Sequence, residues 1–303
     1  MPSNQNPLGA LPARFRRQRV LIVGCGDVGL RVAAALPART RVLALTSTPA
    51  RMQELRNRGI VPLLGNLDRA PSLSRLAGLA TRVVYLAPPP SEGWTDPRIV
   101  ALLRALRLRA APLQLVYGST SGVYGDCAGA WVDETRSSQA ATARAHRRVD
   151  AEAQARFFGR SAGTRVQLLR IPGIYAPDRA GGTPRPRLQK GTPVLSADDD
   201  VYTNHIHAND LARACVASLW KGRPQRRYNV CDDTVLKMGD YFDLAADLYQ
   251  LPRPPRVARD SAQQQLPTML LSFMSESRRL VNRRMKQELG VHLRYPTVLE
   301  GLR

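Results

Sequence analysis

Residues 20–31 read VLIVGCGDVGLR, an apolar run that passes directly into a glycine-rich turn. Gly24, Gly26 and Gly29 have the spacing G-x-G-x-x-G between a predicted strand and a predicted helix. In such a turn the first glycine permits a tight bend, the second lets a diphosphate approach the backbone, and the third lets the helix pack against the strand. The helix N-terminus adds amide donors and a favourable dipole. The stretch therefore predicts a dinucleotide-binding turn, with a ligand-free glycine turn as the alternative.

The first two-thirds of the chain continues this alternation of short apolar runs and helical segments. Near-continuous apolar runs are expected of strands in a parallel sheet that is covered on both faces. The predicted strands are residues 19–23, 41–45, 60–64, 82–86, 113–117 and 165–169, and the predicted helices are residues 29–36, 49–58, 71–79, 96–110 and 141–163. This order predicts an α/β protein with a Rossmann-type, doubly wound parallel sheet.

The last third of the chain has a different composition and pattern. Residues 176–200 are rich in Pro, Gly, Arg and Asp, which predicts an insertion dominated by loops. A further strand is predicted at 227–230 and a helix at 238–249, and the C-terminal part is predicted to be helical around 275–289.

The formal net charge of +21 in 303 residues raises the question of a nucleic-acid partner. The positive charge is almost entirely arginine, scattered along the chain without a long basic block or interleaved aromatic residues. We therefore expect no specific nucleic-acid partner. A positive field that attracts a small anionic substrate or a phosphorylated cofactor is the preferred interpretation.

The apolar runs, the N-terminal stretch and the cysteines of the sequence predict a cytoplasmic protein without a membrane span. No run of eighteen apolar residues occurs, and the N-terminal stretch has no apolar core of a secretory signal. The four cysteines have no metal-ligand spacing and are expected to be reduced and mostly buried. We predict no metal site.

The residues after the second predicted strand indicate which dinucleotide binds. An NAD site usually has an acidic residue there for the ribose diol, but this chain has Thr46, Ser47 and, on the next helix, Arg51. An arginine can bind a 2′-phosphate with two hydrogen bonds, so the sequence favours NADP, with NAD as the alternative. Arg51 could instead be simply the first exposed cation of the helix. Asn66, after the third strand, could bind an adenine edge, and Ala87, after the fourth, has no bulk to obstruct the cofactor. Both stretches could equally be turns that simply end their strands.

Several stretches, taken in order, resemble a known family: VLIVGCGDVG at 20–29, VVYLAPPP at 83–90, GSTSGVYGD at 118–126, LLRIPGIYAP at 168–177, NHIHANDL at 204–211 and YNVCD at 228–232. Together they resemble an atypical extended short-chain dehydrogenase/reductase of the NAD-dependent epimerase/dehydratase family. The resemblance covers nearly the whole chain from about residue 19.

The resemblance implies a division of the chain and a kind of activity. Residues 1–17 would be a flexible tail, 18–175 an NAD(P)-binding Rossmann domain, and 176–303 a smaller substrate-binding lobe, with 204–232 returning to the sheet. The activity implied is that of an oxidoreductase or an epimerase/dehydratase-like enzyme on a small anionic or nucleotide-sugar-like substrate. Many relatives pair through helices of a shared bundle, and the predicted helices at 96–110 and 141–163 could do so here, so a homodimer is left open. The expected cofactor contacts are Gly24, Gly26, Asp27, Val28, Gly29, Thr46, Ser47, Arg51, Asn66, Leu67, Ala87, Pro88, Ser119 and Pro172.

The catalytic residues of the family are only partly present. The family hydroxyl, four residues before the V-Y-G tyrosine, corresponds to Thr120, and that tyrosine is Tyr124. The family also has Y-x-x-x-K on the following helix, often with a Glu four residues after the Lys. In the family this Tyr passes a proton to or from the substrate oxygen, and the Lys holds the nicotinamide ribose and lowers the Tyr pKa. If Glu152 is that Glu, the Tyr position is Arg144 and the Lys position is Arg148. Arginine cannot donate a proton at neutral pH.

Three interpretations of this replacement stay open. Another group, namely Tyr124, Tyr175 or His146, could transfer the proton. Arg144 and Arg148 could instead bind an anionic substrate while Thr120 and water relay the proton. The protein could also be a catalytically silent NADP(H)-sensing binding protein. A solvated basic helix face is the simplest alternative for the two arginines.

Three residues are candidates for contact with the substrate: Asn204, Arg187 and Tyr175. Arg187 could equally be an ordinary surface charge. Asn204 belongs to the segment TNHIHANDL, in which His205 and His207 form an H-x-H. No third metal ligand is near in the sequence, so we do not expect a metal there. Asp210 is expected to brace the structure.

Overall fold

The computed structural model describes residues 18–303, without the side chains of residues 268, 269 and 273. The predicted tail at 1–17 therefore lies outside the described residues. A seven-stranded sheet forms the centre of the molecule, and all its strands are parallel. The strands are β1 (Arg19–Val23), β2 (Arg41–Thr46), β3 (Val61–Leu64), β4 (Arg82–Tyr85), β5 (Gln114–Thr120), β7 (Arg165–Ile171) and β12 (Arg226–Asn229). The Rossmann-type fold predicted from the sequence is confirmed.

The order of the strands determines where a ligand can bind. Across the sheet it is β12-β7-β5-β4-β1-β2-β3, so the chain moves outward from β1 to β3 and then returns to place β4 on the other side of β1. In open α/β sheets a crevice forms at the carboxyl ends of the strands where the direction reverses. Here that point lies between the ends of β1 and β4.

Helices cover both faces of the sheet. One apolar layer joins α1 (Asp27–Ala35), α6 (Ala208–Lys221) and α10 (Arg283–Leu289), and the other joins α3 (Pro97–Arg107) and α4 (Ala143–Ala162). In β1 the buried side chains alternate between the two faces, with Val20 and Ile22 on one and Leu21 and Val23 on the other. Such a strand has no alternation of apolar and polar residues. Burial on both faces therefore explains the continuous apolar runs of the sequence.

The remaining elements are short and lie mostly in the C-terminal half. The helices are α2 (Arg51–Asn57), α5 (Arg185–Gln189), α7 (Met238–Tyr249), α8 (Arg259–Gln265), α9 (Thr268–Met274) and α11 (Val298–Gly301), with 3₁₀ turns at Ala70–Leu76 and Ser121–Tyr124. The strands are β6 (Trp131–Val132), β8 (Gly173–Tyr175), β9 (Val194–Leu195), β10 (Tyr202–Thr203), β11 (His205–His207), β13 (Leu236–Lys237), β14 (Arg256–Val257) and β15 (Arg279–Leu280). A third apolar cluster, around α7, lies in this half.

One predicted element is wrong in its extent. The helix expected over 275–289 begins only at Arg283, because residues 279–280 form β15 and pair with β6 in parallel. This extended stretch lies against the loop after β5 through bonds from the backbone N–H groups of Cys127 and Gly129 to the Ser277 carbonyl, each 3.0 Å. The loops predicted at 176–200 contain the short helix α5 and the strand β9.

None of the helices within the described part of the chain is both long and apolar enough to cross a membrane.

Candidate active site

The glycine turn after β1 is packed closely against the end of β4. Gly24 has φ +87°, and a Cβ there would lie 2.3 Å from the backbone nitrogen of Ala87. A Cβ at Gly29 would lie 2.8 Å from the Gly24 carbonyl oxygen. Both positions therefore require glycine, one for its backbone conformation and the close approach of β4, the other for the packing of α1 against the turn.

Gly26 is a glycine for a different reason. It is the N-cap of α1, and no side chain caps that helix end. A Cβ at Gly26 would meet no protein atom within 4 Å. The first amides of a helix lack intrahelical acceptors and favour an anion, and here the space in front of them is open. The turn therefore fits the diphosphate of a dinucleotide.

Asp27 and Val28 have contacts of another kind. The Asp27 carboxylate pairs with Arg31, at 3.2 Å, and with Arg179, whose Nε lies 3.3 Å from Asp27 Oδ2. Val28 packs against the apolar layer between the sheet and α1. Asp27 thus joins the glycine turn to the loop 176–182, and neither side chain lines the cavity beside the turn.

A cavity of about 360 Å³ begins at the glycine turn and continues past the ends of β2 and β3. The predicted residues that line it are Gly24, Gly26, Thr46, Ser47, Arg51, Asn66, Leu67, Ala87 and Pro88. The Arg51 Nε lies 3.4 Å from Glu54 Oε2, and the Asn66 side chain accepts a hydrogen bond from the Asp68 N–H at 2.9 Å. Residues from four separate loops therefore meet in one cavity beside the cradle, by which we mean Gly24, Gly26 and the first backbone N–H groups of α1.

Two residues of this cavity were missed from the sequence. Arg98 and Asp68 both line it and form a double ion pair, at 2.7 and 2.8 Å. The Arg98 guanidinium holds the pKa of Asp68 below its usual range, and it also donates to the Pro88 carbonyl at 3.2 Å. Arg98 comes from the first turn of α3, so no local motif connects it to the glycine turn.

A larger cleft of about 810 Å³ lies next to the first cavity, and Pro88 lines both. It lies between the ends of β5 and β7 and the C-terminal half of the chain. The predicted residues that line it are Thr120, Arg144, Arg148, Pro172, Tyr175, Arg187 and Asn204. The structure thus brings together the hydroxyl loop, the two helix arginines and all three predicted substrate residues.

Arg148 is held in a fixed position at the base of this cleft. Its Nη1 donates to the Tyr117 hydroxyl at 3.0 Å and to the Gly118 carbonyl at 2.9 Å. Arg144 lies one helical turn earlier on the same face of α4 and is more exposed. Thr120 Oγ1 accepts a hydrogen bond from the Gly122 N–H at 3.2 Å. The cleft therefore has a hydroxyl and a fixed guanidinium near the carboxyl end of β5.

Ser119 and Tyr124 lie outside the cleft. The Ser119 hydroxyl donates to Glu152 Oε1 at 2.6 Å, and Glu152 forms a buried ion pair with Arg170 at 2.8 Å. The Tyr124 hydroxyl donates to Asn229 Oδ1 at 2.7 Å, and the Arg170 guanidinium lies 4.5 Å from the centre of its ring. Because both hydroxyls are used in the core, we do not retain Ser119 as a cofactor contact or Tyr124 as a proton donor.

The other two proton-donor candidates differ in position. His146 is exposed, lies edge-on to Trp94 with ring centres 5.0 Å apart, and does not line the cleft. Tyr175 does line it, but its hydroxyl donates to the Thr297 carbonyl at 3.2 Å, and burial raises its pKa. Neither is well placed to transfer a proton.

The substrate candidates Arg187 and Asn204 also have distinct roles. Nε and Nη2 of Arg187 are buried without a hydrogen-bond partner among the described residues, and its guanidinium lies 4.3 Å from the Phe242 ring centre. Burial lowers the pKa of Arg187. Asn204 donates to the Arg278 carbonyl at 2.9 Å and accepts from the Leu280 N–H at 2.8 Å. Asn204 thus fixes the segment 278–280, while Arg187 lines the cleft with its guanidinium against the Phe242 ring.

The cleft is strongly electropositive. Besides the predicted Arg144, Arg148 and Arg187, its lining includes Arg147, Arg179 and Arg278. Among the described residues, Glu276 is the only acidic side chain that lines it. Arg147 is the neighbour of Arg148 on α4, whereas Arg179 and Arg278 come from distant segments of the chain, so no spacing in the sequence indicated those two.

The two histidines of β11 have structural contacts. His205 packs against Tyr241 with ring centres 4.2 Å apart, and burial lowers the pKa of His205 to about 3. His207 Nδ1 accepts from the Asn209 N–H at 3.2 Å. Asp210 accepts from the backbone N–H groups of Arg294 and Tyr295. Over residues 18–303, no three His, Cys, Asp or Glu side chains are grouped in a way that could hold a metal ion.

Comparison with known proteins gives the class of this fold and site. The model of the NAD dependent epimerase/dehydratase family matches residues 20–231. The chain therefore belongs to that family. No protein among the curated ones matches it.

Three solved structures illustrate the likeness. A functionally unknown conserved protein from Silicibacter pomeroyi is 33% identical over 94% of this chain and 96% of its own, with a TM-score of 0.77. UDP-glucose 4-epimerase from Thermotoga maritima, solved with UDP-glucose, is 17% identical over 94% and 96%, with a TM-score of 0.78. RMD from Pseudomonas aeruginosa, complexed with NADPH, is 20% identical over 94% and 97%, with a TM-score of 0.71. The last two likenesses show a shared fold.

Proposed function

We propose that the protein is an NADP(H)-dependent oxidoreductase or epimerase/dehydratase-like enzyme that acts on a small, anionic, nucleotide-sugar-like substrate. The observation that carries the proposal is the electropositive cleft of about 810 Å³ that adjoins the glycine-turn cavity. Six arginines and one glutamate line that cleft. A multiply charged anion is the ligand that such a lining favours.

The substrate contacts are assigned to arginines with unused donors. Arg187 has two buried nitrogens without a partner among the described residues, and an unpaired buried guanidinium is unfavourable without an anion. A phosphate or carboxylate group of the substrate would accept from these nitrogens. The UDP-glucose of the Thermotoga maritima structure is a substrate of this charge and size class, so UDP-glucose is the first probe.

The proposed cofactor contacts are the cradle and Arg51. The open amides at the N-terminus of α1 would bind the diphosphate, and the end of β2 has hydroxyls and Arg51 where an acidic residue would select NAD. When it is bound, the nicotinamide cofactor supplies hydride transfer. Thr120 lies at the carboxyl end of β5, where it could orient a substrate oxygen, and Arg148 is fixed where it could hold the cofactor ribose.

The test of the cofactor assignment is a calorimetric titration with NADPH and NADH. We expect Arg51→Gln to weaken NADPH binding by about tenfold, because it removes a charged partner of the 2′-phosphate, and to leave NADH binding unchanged. Arg58→Gln, an exposed arginine just after α2, is the control. A natural chain that prefers NADH would contradict the NADP assignment.

The test of activity is a screen for conversion of nucleotide sugars by the natural chain. UDP-glucose and related sugars would be incubated with oxidised or reduced cofactor, and cofactor absorbance and product formation would be followed. Turnover that Arg187→Gln weakens is expected. If no nucleotide sugar is converted although NADPH binds at micromolar concentration, the enzyme assignment is wrong.

A second function is favoured by Arg148. Its guanidinium already donates to two protein acceptors. If Arg144 and Arg148 stand at the positions of the family's Tyr and Lys, the chain has no phenol and ammonium group at those positions. A catalytically silent NADP(H)-sensing protein would need no proton donor. A partner protein that is captured only with NADPH, or only with NADP⁺, would support this function over catalysis.

A further inference from the structure

Glu276 is the acidic side chain of the large cleft, and the proposed activity leaves it without a role. It comes from the segment after α9, more than 150 residues away from Thr120 in the sequence. A Cβ added at Gly122 would lie 3.9 Å from Glu276 Oε2 and 3.6 Å from Thr120 Oγ1. The carboxylate and the hydroxyl therefore flank the same small space at the carboxyl end of β5.

The backbone around Glu276 is held firmly. The Ser277 N–H donates to Asp126 Oδ1 at 2.7 Å, and the Ser277 carbonyl accepts from Cys127 and Gly129. Glu276 Oε2 itself accepts from Arg278 Nη1 at 2.8 Å, and that nitrogen also donates to the Gly125 carbonyl at 2.7 Å. The carboxylate is thus fixed beside the hydroxyl loop by the loop's own backbone and by its neighbour.

Several other side chains of the cleft are poor proton acceptors. Arginine does not release or take up a proton near neutral pH. His205 is buried in its neutral form, and Tyr175 and Tyr241 have raised pKa values because of burial. Glu276 is the one carboxylate among the described residues that line the cleft, and proton exchange is the ordinary chemistry of a carboxylate.

We propose that Glu276 faces the reacting atoms and takes over the acid–base role that the family assigns to tyrosine. This inference rests on the proposed function. In the oxidising direction, the O–H bond of a substrate hydroxyl breaks and its proton passes to the Glu276 carboxylate. The oxygen keeps the bonding electrons and forms the C=O bond, while the carbon gives up its hydride to the nicotinamide ring. In the reducing direction Glu276 returns the proton to the oxygen.

At this position Glu276 should also affect the relative affinity of the protein for NADP⁺ and NADPH. This electrostatic effect can be measured without a substrate. The nicotinamide ring is cationic in NADP⁺ and neutral in NADPH, and the arginines of the cleft disfavour the cationic form. A carboxylate beside the ring offsets that effect. Removal of its charge should therefore weaken NADP⁺ binding more than NADPH binding.

The experiment compares four full-length proteins by calorimetry with NADP⁺ and with NADPH. They are the natural chain, Glu276→Gln, Glu276→Asp and Glu92→Gln, of which the last changes an exposed carboxylate outside the cleft lining. We expect Glu276→Gln to raise the ratio of the NADP⁺ to the NADPH dissociation constant by about three- to tenfold. Glu276→Asp and Glu92→Gln should keep the natural ratio. Thermal unfolding verifies that each variant is folded.

A second readout follows oxidation of UDP-glucose, used as the probe. Glu276→Gln should slow the appearance of reduced cofactor at least a hundredfold, and Glu276→Asp should keep a measurable part of the rate. An unchanged ratio of dissociation constants in Glu276→Gln, with both cofactors bound, contradicts the place assigned to Glu276, and an unchanged rate contradicts its role. Failure of the natural chain to oxidise the probe or its relatives, or to bind either cofactor, counts against the proposed function itself.

Discussion

At the scale of single residues, the two nearby glycines of the turn have separable roles. Gly24 needs glycine because of its positive φ and because Ala87 is too close for a Cβ. Gly26 has open space where its Cβ would be, at the N-terminus of α1. The fold therefore requires glycine at residue 24, and we assign the requirement at residue 26 to the ligand.

We expect Gly26→Val to leave the free energy of unfolding nearly unchanged and to weaken NADPH binding at least tenfold, because the side chain would fill the space of the diphosphate. Gly24→Ala, in contrast, should lower the free energy of unfolding by about 2–5 kcal/mol, since strain and overlap add. Urea unfolding and NADPH titration measure the two effects. If Gly26→Val binds NADPH as the natural chain does, the cradle is misplaced.

Ser119 allows a second test at this scale. Its hydroxyl is bonded to Glu152 in the core, so Ser119→Ala should cost about 1 kcal/mol of stability and should not change NADPH affinity. Ser121→Ala, next to Thr120 and part of the cleft lining, is the comparison. A loss of cofactor affinity confined to Ser119→Ala would restore Ser119 to the cofactor site.

At the scale of elements, the segment after β12 includes a carboxyl group in an unfavourable environment. Asp232 is 3% exposed, and burial raises its pKa to about 7. Its Oδ1 accepts from the Thr234 N–H at 3.0 Å, and Oδ2 is buried. The folded chain therefore binds a proton at Asp232 that the unfolded chain has already released above about pH 4.

This difference predicts how stability changes with pH. Between about pH 4 and pH 7 the folded state binds more protons at Asp232 than the unfolded state, so this group makes stability fall as the pH rises. We expect Asp232→Asn to flatten that part of the profile by roughly 2–4 kcal/mol, as measured by urea unfolding at several pH values. Asp233→Asn, its exposed neighbour, should not. A profile unchanged by Asp232→Asn would refute the assignment.

The elements also show what the sequence could predict. The strands of the sheet were predictable because burial on both faces leaves continuous apolar runs, as at 20–23 and 42–45. The stretch 275–282 was not, because its conformation depends on pairing with β6 and on bonds to the loop after β5. Local propensity carries no information about a partner so distant in the chain.

At the scale of the whole molecule, the same distinction applies to the candidate site. The glycine turn, Thr120 and the α4 arginines could be found because their spacing is local and their strand–turn–helix context is readable. Arg98, Arg179 and Glu276 could not be found, since only the folded chain brings them to the two cavities. Tyr124 has the spacing of the motif, but its hydroxyl donates to Asn229 and its ring packs against the Arg170 guanidinium.

The scattered arginines also acquire a partial explanation at this scale. Six of them meet at one cleft, although no block of basic residues is visible in the sequence. A homodimer through α3 and α4 stays a prediction. The exposed Phe157 of α4 and Leu108 after α3 are the side chains whose replacement would test it.

The central claim is that the N-terminus of α1 holds the diphosphate of a nicotinamide cofactor whose ring lies beside Thr120. A crystal structure of the natural chain with NADPH tests it most directly. We predict density for the diphosphate at the backbone N–H groups of Gly26 and the first turn of α1. The nicotinamide ring should lie between Thr120 and Pro172, with Glu276 facing the ring. A cofactor bound elsewhere, or a ring directed away from Thr120, would contradict the account.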